Sequence, residues 1–389
     1  MPKEPLSICA VTGSRADYGL LYWLLRGLRD DPAFELQLAI TGMHLASEFG
    51  LTKTAIEQDG FNISATVDSL LASDTPVGIS KSIGIGVIGF ADAFARLKPD
   101  IAIVLGDRYE ILAAATAAYI ARIPLAHIGG GDTTEGAFDE GMRHSISKMS
   151  HLHFVAHEQA RRRLLQLGED PDRIYVVGHP GIEQIRRLHL FSRVEIETRL
   201  QLKLRERNLL ITFHPVTLDA RSSTDQFAEL LQVLAQLGPR FGLIFTRPNA
   251  DTEGRALLGM LDDFVSAHDN AAGFASLGQH LYLSVAAQAD AVVGNSSSGI
   301  FEIPALKRPT VNIGTRQKGR PLAASVINCE PAAAAIDAAI RRALQTDCSQ
   351  VANPFGDGQT SGRIIAALKS LTAPRDLLSK RFFELGEAR

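Results

Sequence analysis

Short apolar, β-branched segments alternate with segments of helical periodicity along the whole chain. Helical stretches such as "YGLLYWLLRGLRD" and "YEILAAATAAYIAR" separate these apolar segments in the first half. This alternation is typical of βαβ units that build a parallel sheet. The predicted strands of the first half are Leu6–Thr12, Glu35–Thr41, Asp100–Gly106, Ile123–Ile128, Leu152–Ala156 and Arg173–Gly178.

The pattern restarts in the second half, after a charged, helical stretch between Gly178 and Arg207. The chain has 389 residues, more than a single core normally holds. We therefore predict an α/β protein of two Rossmann-like domains, 1–180 and 205–370, with a cleft between them. A final helical segment, about Ala373–Ala388 within 371–389, is expected to return to the first domain. The predicted strands of the second domain are Asn208–His214, Arg240–Pro248, Asp290–Asn295 and Arg308–Gly314.

Composition narrows the functional classes. A formal net charge of −3 gives no basic surface for nucleic acid. Three scattered cysteines form neither a disulfide framework nor a zinc motif. The N-terminus lacks the apolar core of a signal peptide, and we see no run approaching the roughly 18 apolar residues of a membrane span. We expect a soluble, cytoplasmic protein that binds neither nucleic acid nor membrane.

Polar residues follow several of the predicted strands, where ligands of parallel sheets bind. Arg15 begins a helix in "TGSRADYG", and Asp107 and Arg108 follow a fully apolar strand in "LGDRYE". A solvated arginine and a helix-capping aspartate are the structural alternatives. The loop "TGSRADYG" after the first strand is not the dinucleotide fingerprint GxGxxG, and the phosphate loop GxxxxGK[ST] does not occur, which disfavours nicotinamide and P-loop chemistry.

The stretch His127–His144, "HIGGGDTTEGAFDEGMRH", joins three glycines to four carboxylates: Asp132, Glu135, Asp139 and Glu140. Glycines indicate a backbone that passes close to a ligand, and clustered acids indicate acid/base work. No ligand spacing favours a metal. Arg143 and His144 could orient the acids or simply pair on the helix surface.

The second half offers residues suited to a phosphate. His214 ends a strand in "ITFHPVT", and Asn249 follows another in "FTRPNAD". In "GNSSSGIFEIPAL", Ser296 and Ser297 precede a predicted helix, whose N-terminal N–H groups suit an anion. Glu302 could accept hydrogen bonds from ribose hydroxyls, and Arg316 could balance phosphate charge.

Taken together, these motifs resemble the hydrolysing UDP-N-acetylglucosamine 2-epimerases, in the family's order from about Val11 to Pro321. The resemblance implies a GT-B-like fold and loss of UDP from C1 and a proton from C2, followed by hydration of the 2-acetamidoglycal to N-acetylmannosamine. It implies no cofactor or metal, with a UDP-sugar and UDP as ligands, in sialic-acid-type sugar biosynthesis. We also expect a homo-oligomer, a dimer or tetramer.

The resemblance also implies residue roles. Asp107, Asp132, Asp139, Glu140 and His214 are the catalytic candidates. The substrate-binding candidates are Arg15, Arg108, Arg143, His214, Asn249, Ser296, Ser297, Glu302 and Arg316.

One position departs from the family. Many members carry a glutamate where this chain has Gly129, which leaves the identity of the C2 base open and enlarges the expected sugar pocket. The leading prediction from the resemblance is UDP-N-acetylglucosamine. Because Gly129 enlarges the expected pocket, UDP-2,4-diacetamido-2,4,6-trideoxyglucose of the legionaminic acid pathway is the alternative. A GT-B glycosyltransferase and a non-catalytic nucleotide-sugar sensor are the remaining hypotheses.

Overall fold

The computed structural model describes residues 4–46, 52–71, 75–133, 139–215, 221–247, 254–274 and 277–386. The chain forms two compact units. Unit 1 consists of Met1–Gln184 with Gly358–Arg389, and unit 2 of Ile185–Asp357. The chain thus passes to unit 2 inside the charged helical stretch and returns at Gly358, earlier than the domain end at 370 that the sequence predicts.

Unit 1 is built on a sheet of seven parallel strands in the order β3-β2-β1-β4-β5-β6-β7. The order reverses between β1 and β4, and in such sheets this switch point is where ligands bind. The strands are β1 Leu6–Thr12, β2 Phe34–Thr41, β3 Ile63–Val67, β4 Ile101–Leu105, β5 Leu125–Ile128, β6 Leu152–Val155 and β7 Ile174–Val176.

Helices cover both faces of this sheet. The first, α1, begins because the Ser14 side chain accepts the main-chain N–H of Asp17 and caps the first turn. It buries Leu21, Leu25 and Leu28 at helical spacing. The helices of the first stretch are α1 Arg15–Asp30, α2 Lys53–Gln58, α3 Pro76–Leu97, α4 Tyr109–Ile120, α5 Asp139–Met149, α6 Glu158–Gln166 and α7 Pro180–Arg187, with 3₁₀ helices at Gly42–Leu45 and Pro171–Arg173.

Alternate residues of the central strand β1 enter two different cores. Ile8 and Ala10 pack with the leucines of α1, whereas Cys9 and Val11 pack with Phe90 of α3 on the other face. Both faces of a parallel sheet are buried in this way, which explains why its strands are continuously apolar. Burial raises the pKa of the Cys9 thiol to about 12, as expected of a buried apolar group.

Unit 2 repeats the architecture with six parallel strands in the order β10-β9-β8-β11-β12-β13. Its switch point lies between β8 and β11. The strands are β8 Arg207–Thr212, β9 Phe241–Thr246, β10 Ala271–Phe274, β11 Ala291–Gly294, β12 Thr310–Ile313 and β13 Val326–Cys329. The helices are α8 Arg193–Leu200, α9 Ser223–Ala235, α10 Gly254–Ala267, α11 Gly278–Gln288, α12 Ser298–Phe301 and α13 Ala333–Ala343, with a 3₁₀ helix at Ile303–Leu306.

The C-terminal segment belongs to unit 1. Helix α14, Thr360–Lys369, packs against α1, where Gly27 leaves room for Ile365. The helix expected over Ala373–Ala388 is wrong: only Pro374–Leu378 is helical, as a short 3₁₀ turn. The following residues form no regular element and bind the body of unit 1, with the N–H of Phe383 donating to the carbonyl of Gly168.

This tail also completes a buried charge cluster. Glu169 is fully buried and accepts from Lys148 and His153, each at 2.9 Å, and from Lys380 of the tail at 2.5 Å. Burial by itself raises the pKa of Glu169, but the bonds from His153 and Lys380 outweigh it and lower the pKa to about 2. An ionised carboxylate therefore ties the tail to unit 1.

Among the described residues, α3 alone is long and apolar enough to cross a membrane by length and composition. The expectation that no segment approaches such a length is therefore wrong. One side of α3 nevertheless packs into the core through Phe90, Ala93 and Phe94.

Candidate active site

Asp107 lies directly beyond β4, at the switch point of unit 1. The preceding Gly106 has a φ of +79°, and its carbonyl accepts a hydrogen bond from His127 Nε2 at 2.8 Å. Burial lowers the pKa of His127 to about 3, so the ring is neutral. Since Nε2 donates to the carbonyl, Nδ1 accepts from the Ser147 hydroxyl at 3.1 Å. The buried His127 thus fixes the turn that presents Asp107.

Arg143 of α5 forms an ion pair with the Asp107 carboxylate. Its guanidinium also donates to the main-chain carbonyl of Asp132 at 2.9 Å. The sequence predicts that Arg143 binds substrate or orients the acids, and the structure places it between two of them. Because its side chain is buried, this arginine holds the ends of β4 and β5 in a defined arrangement.

Asp132 is paired with a histidine. His157 Nε2 lies 2.8 Å from the Asp132 carboxylate, and His157 Nδ1 accepts the N–H of Ala160, so the proton of the ring is on Nε2. Burial raises the pKa of Asp132, but the bond from His157 and the charges of His157, His179 and Arg143 outweigh it, and the pKa lies below its usual value. An ionised, hydrogen-bonded carboxylate of this kind is a weak base. His157 and His179 are not among the residues that the sequence reasoning selected.

Asp139 and Glu140 form the first turn of α5. Burial and the nearby negative charge of Asp107 raise the pKa of Asp139 above its usual value, against the opposing effect of Arg108 and Arg143. Glu140 points toward His144, with 3.5 Å between its carboxylate and Nε2. Of these carboxylates, Asp139 has the environment of a general base, because a higher pKa strengthens proton uptake. Glu135 lies outside the described residues.

Two glycines shape the turn after β5. Gly131 has a φ of +76°, and a Cβ there would collide with the carbonyl of Ala160. Gly129 has a φ of +86°, but among the described residues the nearest atom to a Cβ would be the amide nitrogen of Gly106, 3.9 Å away. Gly131 is therefore required by close packing. Gly129 is required by its backbone conformation, and no side chain of the described residues, which leave out 134–138, fills the space beside it.

Arg108 is held by a residue that the sequence reasoning missed. Its Nε donates to Glu110 at 2.5 Å, and the Glu110 side chain is buried under Gly13 and Gly42. A Cβ on Gly13 would lie 2.6 Å from Cγ of Glu110, so the glycine of "TGSR" makes room for this acid. The signal for Glu110 was its place in the first turn after Arg108. Arg15, which begins α1 two residues after Gly13, is exposed.

In unit 2, Asn295 organises the switch point between β8 and β11. Its side-chain oxygen accepts the main-chain N–H of His214 at 2.7 Å, and its side-chain nitrogen donates to the His214 carbonyl at 2.8 Å. The main-chain carbonyl of Asn295 accepts hydrogen bonds from the side chains of Arg316 at 3.2 Å and Gln317 at 2.8 Å. The structure thus brings His214 and Arg316 together through a buried asparagine. Asn295 and Gln317 are not among the candidates that the sequence predicts.

The serine-rich loop follows β11. Gly294 has a φ of +140°, and a Cβ there would collide with the Thr212 carbonyl, so the strand ends at a glycine. Ser297 precedes α12, and the N–H of Ser298 donates to the Ser296 hydroxyl at 3.4 Å. The helix predicted after this loop is a single turn, Ser298–Phe301, continued by the 3₁₀ turn. Ser296 and Ser297 nevertheless stand at the carboxyl end of the sheet.

Glu302 follows α12 as its C-cap residue, in a half-buried position. Desolvation raises its pKa above the usual value, and Ser298 and Tyr282 lie close to it. The adjacent Tyr282 hydroxyl has its pKa raised to about 12, chiefly by burial. A desolvated carboxyl beside hydroxyl groups suits exchange of hydrogen bonds with sugar hydroxyls. Asn249, the remaining candidate of unit 2, lies outside the described residues.

The acids and histidines that the structure describes are not arranged as metal ligands. Among the described residues, no group of three or more histidine, cysteine, aspartate or glutamate side chains is placed to hold a metal ion.

Comparison with known proteins identifies the family. The model of the UDP-N-acetylglucosamine 2-epimerase family matches residues 26–369, which include parts of both units. The chain belongs to this family. It is therefore an enzyme of the UDP-sugar 2-epimerase type, and the two-domain α/β fold predicted from its motifs is confirmed.

Three curated relatives of this epimerase resemble it over most of its length. It is 42% identical to the GDP/UDP-N,N'-diacetylbacillosamine 2-epimerase (hydrolyzing) of Campylobacter jejuni, over 83% of this chain and 84% of the relative. It is 40% identical to the polysialic acid biosynthesis protein P7 of Escherichia coli, over 82% of each chain. It is 35% identical to the UDP-N,N'-diacetylbacillosamine 2-epimerase (hydrolyzing) of Legionella pneumophila, over 96% and 98%.

Solved structures show the same fold at low sequence identity. The UDP-GlcNAc 2-epimerase of Neisseria meningitidis bound to UDP-GlcNAc superposes with a TM-score of 0.76 at 17% identity, covering 94% of this chain and 100% of that one. The UDP-GlcNAc 2-epimerase of Methanocaldococcus jannaschii gives 0.75 at 18% identity, covering 94% and 99%. The fold of this epimerase is thus the GT-B-like one that the motifs imply.

Proposed function

We propose that this chain is a hydrolysing 2-epimerase that releases UDP and a free manno-configured 2-acetamido sugar. A base removes the proton from C2 while the C1–oxygen bond to UDP breaks, which leaves a C1=C2 double bond. Water then adds its hydroxyl to C1 and a proton to C2 on the opposite face. The acid cluster of unit 1 supports this proposal, because only elimination at C2 needs a base on the sugar.

Asp139 is the proposed base. It sits at the start of α5 with a raised pKa, and Arg143 links the neighbouring Asp107 to the turn that carries Asp132. Asp107 is suited to return a proton to C2 on the face of the sugar opposite to Asp139. Glu140 and the Asp132–His157 pair are suited to orient the water and the acetamido group. Since these carboxylates interact, they titrate as a coupled set.

Unit 2 is the proposed UDP-binding half. The diphosphate that leaves C1 needs cationic and N–H partners, which Arg316 and the Ser296–Ser297 loop offer. His214 is held by Asn295 beside Arg316 and could protonate or bind the leaving phosphate. Glu302 would bind the ribose hydroxyls. Arg15, Arg108 and Asn249 complete the proposed substrate contacts.

The sugar that the site favours is UDP-2,4-diacetamido-2,4,6-trideoxyglucose, which is UDP-N,N'-diacetylbacillosamine. The observation that supports it is the space at Gly129 that no described side chain fills, at the position where the family resemblance implies a glutamate in many members. Two relatives at 42% and 35% identity carry the name of this sugar. UDP-N-acetylglucosamine, the substrate first predicted, is the second candidate. It is favoured by the family description, and by the relative named for polysialic acid biosynthesis.

The test offers each nucleotide sugar to the purified enzyme without any acceptor, and follows products by proton NMR. UDP-2,4-diacetamido-2,4,6-trideoxyglucose should release UDP and a 2-epimerised free sugar with the higher kcat/KM. UDP-N-acetylglucosamine and the GDP-linked diacetamido sugar are the two comparison substrates. In deuterium oxide the product should carry deuterium at C2. A strict requirement for an acceptor sugar would instead indicate a glycosyltransferase, and tight UDP binding without turnover a sensor.

The setting follows from the chemistry. The products are precursors of sialic-acid-type sugars, and nucleotide sugars are made in the cytoplasm, which is where we place the enzyme. No cofactor is needed, because the elimination and hydration leave the oxidation state of the whole sugar unchanged.

A further inference from the structure

Helix α5 carries acids of the proposed site, but little apolar surface fixes it in the fold. Of its 11 residues, the buried ones are Arg143, Ile146 and Ser147. The helix also contains Gly141, and a glycine in a helix costs about 1 kcal/mol relative to alanine. Helices of this length are marginal in water without tertiary support. The position of α5 therefore depends strongly on the contacts that its two halves make.

The first half of α5 is held by Arg143. This side chain pairs with Asp107 and donates to the main-chain carbonyl of Asp132 at 2.9 Å. Asp139 begins the same helix, one turn before Arg143. Both side chains move with the helix, so the arrangement of the acids is defined only if α5 keeps its place along its own axis.

The carboxyl end of α5 needs partners, because the last four carbonyls of a helix have none within it. Ser150 serves two of them: its hydroxyl donates to the carbonyl of Ile146 at 2.7 Å, and its N–H to that of Ser147 at 3.1 Å. The carbonyl of Lys148 accepts from Lys380 Nζ at 2.8 Å. A side chain 232 positions later in the chain thus completes the end of this helix.

Lys380 uses its whole ammonium group at this place. A lysine has three donors. The three acceptors here are the carbonyl of Lys148, the carbonyl of Ser150 at 2.7 Å and the carboxylate of Glu169 at 2.5 Å. The side chain is only 16% exposed, and a positive charge at a helix C-terminus is also favoured by the helix dipole. A neutral side chain could not replace this set of contacts.

The residues on both sides of Lys380 are bound to unit 1. Arg173 donates to the carbonyl of Ser379 at 2.9 Å, and the N–H of Phe383 donates to the carbonyl of Gly168 at 2.9 Å. The main chain around Lys380 is therefore fixed. The ammonium is delivered to α5 by a segment that the fold holds in place, and it differs in this from a solvated lysine on the surface.

We propose that Lys380 is a positioning residue of this enzyme: by fixing the carboxyl end of α5, it keeps Asp139 and Arg143 in place for proton transfer at C2. The inference rests on the proposed role of Asp139 as the base. Lys148 lies nine residues after Asp139, which is about 14 Å along the helix axis. Lys380 therefore acts through the helix and not on the sugar.

The test replaces Lys380 by alanine and measures turnover of the preferred UDP-sugar. In Lys380→Ala, kcat should fall roughly 10–100-fold, since a displacement of reacting groups by about 1 Å can cost that much. KM and UDP affinity should change less than about twofold, because the proposed UDP contacts lie chiefly in unit 2. Propylammonium should raise kcat of this variant at least about threefold, because it returns N–H donors to the carbonyls. Tetramethylammonium, which has the same charge but no N–H donor, should not.

Hydrogen exchange followed by mass spectrometry separates positioning from a general loss of stability. The amides of α5 should exchange faster in Lys380→Ala, while those of β1 and β4 keep their protection. Lys369→Ala is the matched control. Lys369 of α14 is another lysine near the C-terminus that pairs with an acid of unit 1, Asp31, at 2.5 Å. This variant should keep the kcat of the wild type.

Phe382→Ala decides if Lys380→Ala does not fold. The Phe382 ring is 59% exposed and lies 4.6 Å from Lys148 Nζ, so its removal loosens the same segment without leaving a buried charge unpaired. In this variant kcat should fall while UDP affinity is kept, and wild-type kcat would overturn the proposal.

Three results with folded Lys380→Ala would also overturn it: wild-type kcat, equal rescue by both cations, or faster exchange spread evenly over unit 1. A wild type that turns over neither sugar would instead contradict the proposed function. Exchange in α5 would then decide whether Lys380 fixes the helix.

Discussion

Both units place candidate residues at the carboxyl ends of their parallel strands. Unit 1 holds these residues by charged pairs, whereas unit 2 holds them by a neutral side-chain amide. In unit 1, the residues beyond β4, β5 and β6 include three charged pairs: Asp107 with Arg143, Arg108 with Glu110, and Asp132 with His157. In unit 2, a neutral asparagine binds the main chain on both sides of His214 and so connects β8 to β11.

This difference matches the division of work that we propose. Proton transfer needs carboxylates whose pKa values are displaced from one another, and mutual pairing in a partly buried site produces such displacements. Binding of a leaving diphosphate needs hydrogen-bond donors that stay in place while charge develops. The loop that the Asn295 amide holds can present such donors, and the amide does not change its protonation state. Changes in unit 1 should therefore alter rates and pH dependence, whereas changes in unit 2 should alter UDP affinity.

The largest effect is expected for Asp139→Asn. Loss of the general base should lower kcat by roughly 10²–10⁴-fold or more, since the amide cannot accept the C2 proton. UDP affinity, measured by isothermal titration calorimetry, should change less than about twofold.

The control for this variant is Asp263→Asn on α10, an exposed acid of unit 2. It should keep full activity. An Asp139→Asn enzyme that turns over normally would remove Asp139 from the mechanism and leave Asp107 as the stronger candidate.

Glu169→Gln tests the buried charges of unit 1 away from the site. Removing one partner from a buried ionic cluster should lower the free energy of unfolding by about 3–5 kcal/mol, because Lys380 and Lys148 lose their counter-charge. Glu158→Gln, which breaks only an exposed pair with Arg161, should cost less than about 1 kcal/mol. Urea denaturation measures both.

The pH dependence of this cluster has a definite sign. The folded pKa of Glu169 is lowered to about 2 from an ordinary value of 4.5. Its contribution to stability is therefore complete above pH 4.5 and is lost as the pH falls toward 2. The difference in unfolding free energy between wild type and Glu169→Gln should shrink across that interval. A constant difference would contradict the ionised state of Glu169.

Asn295→Ala tests the neutral frame of unit 2. It leaves the main-chain N–H and carbonyl of His214 without their partner, at a cost of about 1–3 kcal/mol for each group that stays buried. Both thermal stability and UDP affinity should fall. Asn295→Asp separates the two roles of the amide: it keeps the acceptor for the His214 N–H and loses the donor to its carbonyl, so it should lie between wild type and alanine.

Arg316→Ala should weaken UDP binding by about 10–100-fold, which corresponds to one charge-assisted hydrogen bond of about 1.5–3 kcal/mol. Turnover at saturating substrate should fall less than in Asp139→Asn. Exposed Arg341 on α13, which pairs with the exposed Asp337, offers the matched arginine control. Equal losses of UDP affinity in both variants would argue for general electrostatics rather than a contact at Arg316.

The smallest expected effect concerns the titration of Asp139. Its pKa is raised by burial and by the charge of Asp107, so Asp107→Asn should lower it. Carbon-13 NMR of the labelled carboxyl groups should show this shift, provided that Arg143 remains in place. A pKa of Asp139 that does not move would mean that the two carboxylates do not interact.

The buried strands were predictable from sequence, whereas three of the four edge strands were not. Ten predicted strands correspond to observed ones, whereas β3, β10 and β13 were missed. All three lie at the edge of a sheet, where one side of the strand meets solvent and the apolar run is short or interrupted. The non-helical tail after Leu378 was not predicted either. Its conformation depends on a distant contact, since Lys380 binds Glu169, which lies some 200 positions earlier in the chain.

The candidate site shows the same limit at the level of single residues. Motifs revealed Asp107, Arg316 and the serine loop, which follow strands closely, and Asp139, which belongs to a local cluster of acids. Glu110, His127, His157 and Asn295 act through partners distant in sequence, so their roles could be seen only in the folded chain.

By itself the sequence determined the family, the α/β class with two similar halves, and the strand ends at which polar residues gather. These are local properties, since periodicity and motif spacing act over a few residues. The tertiary structure decided which acid is paired and which has a raised pKa, since burial and distance between groups set those values. It also decided that Gly131 is required by packing against Ala160, whereas no described side chain packs against Gly129. A run of three glycines looks uniform in sequence, and only the neighbours that the fold brings to each one distinguish them.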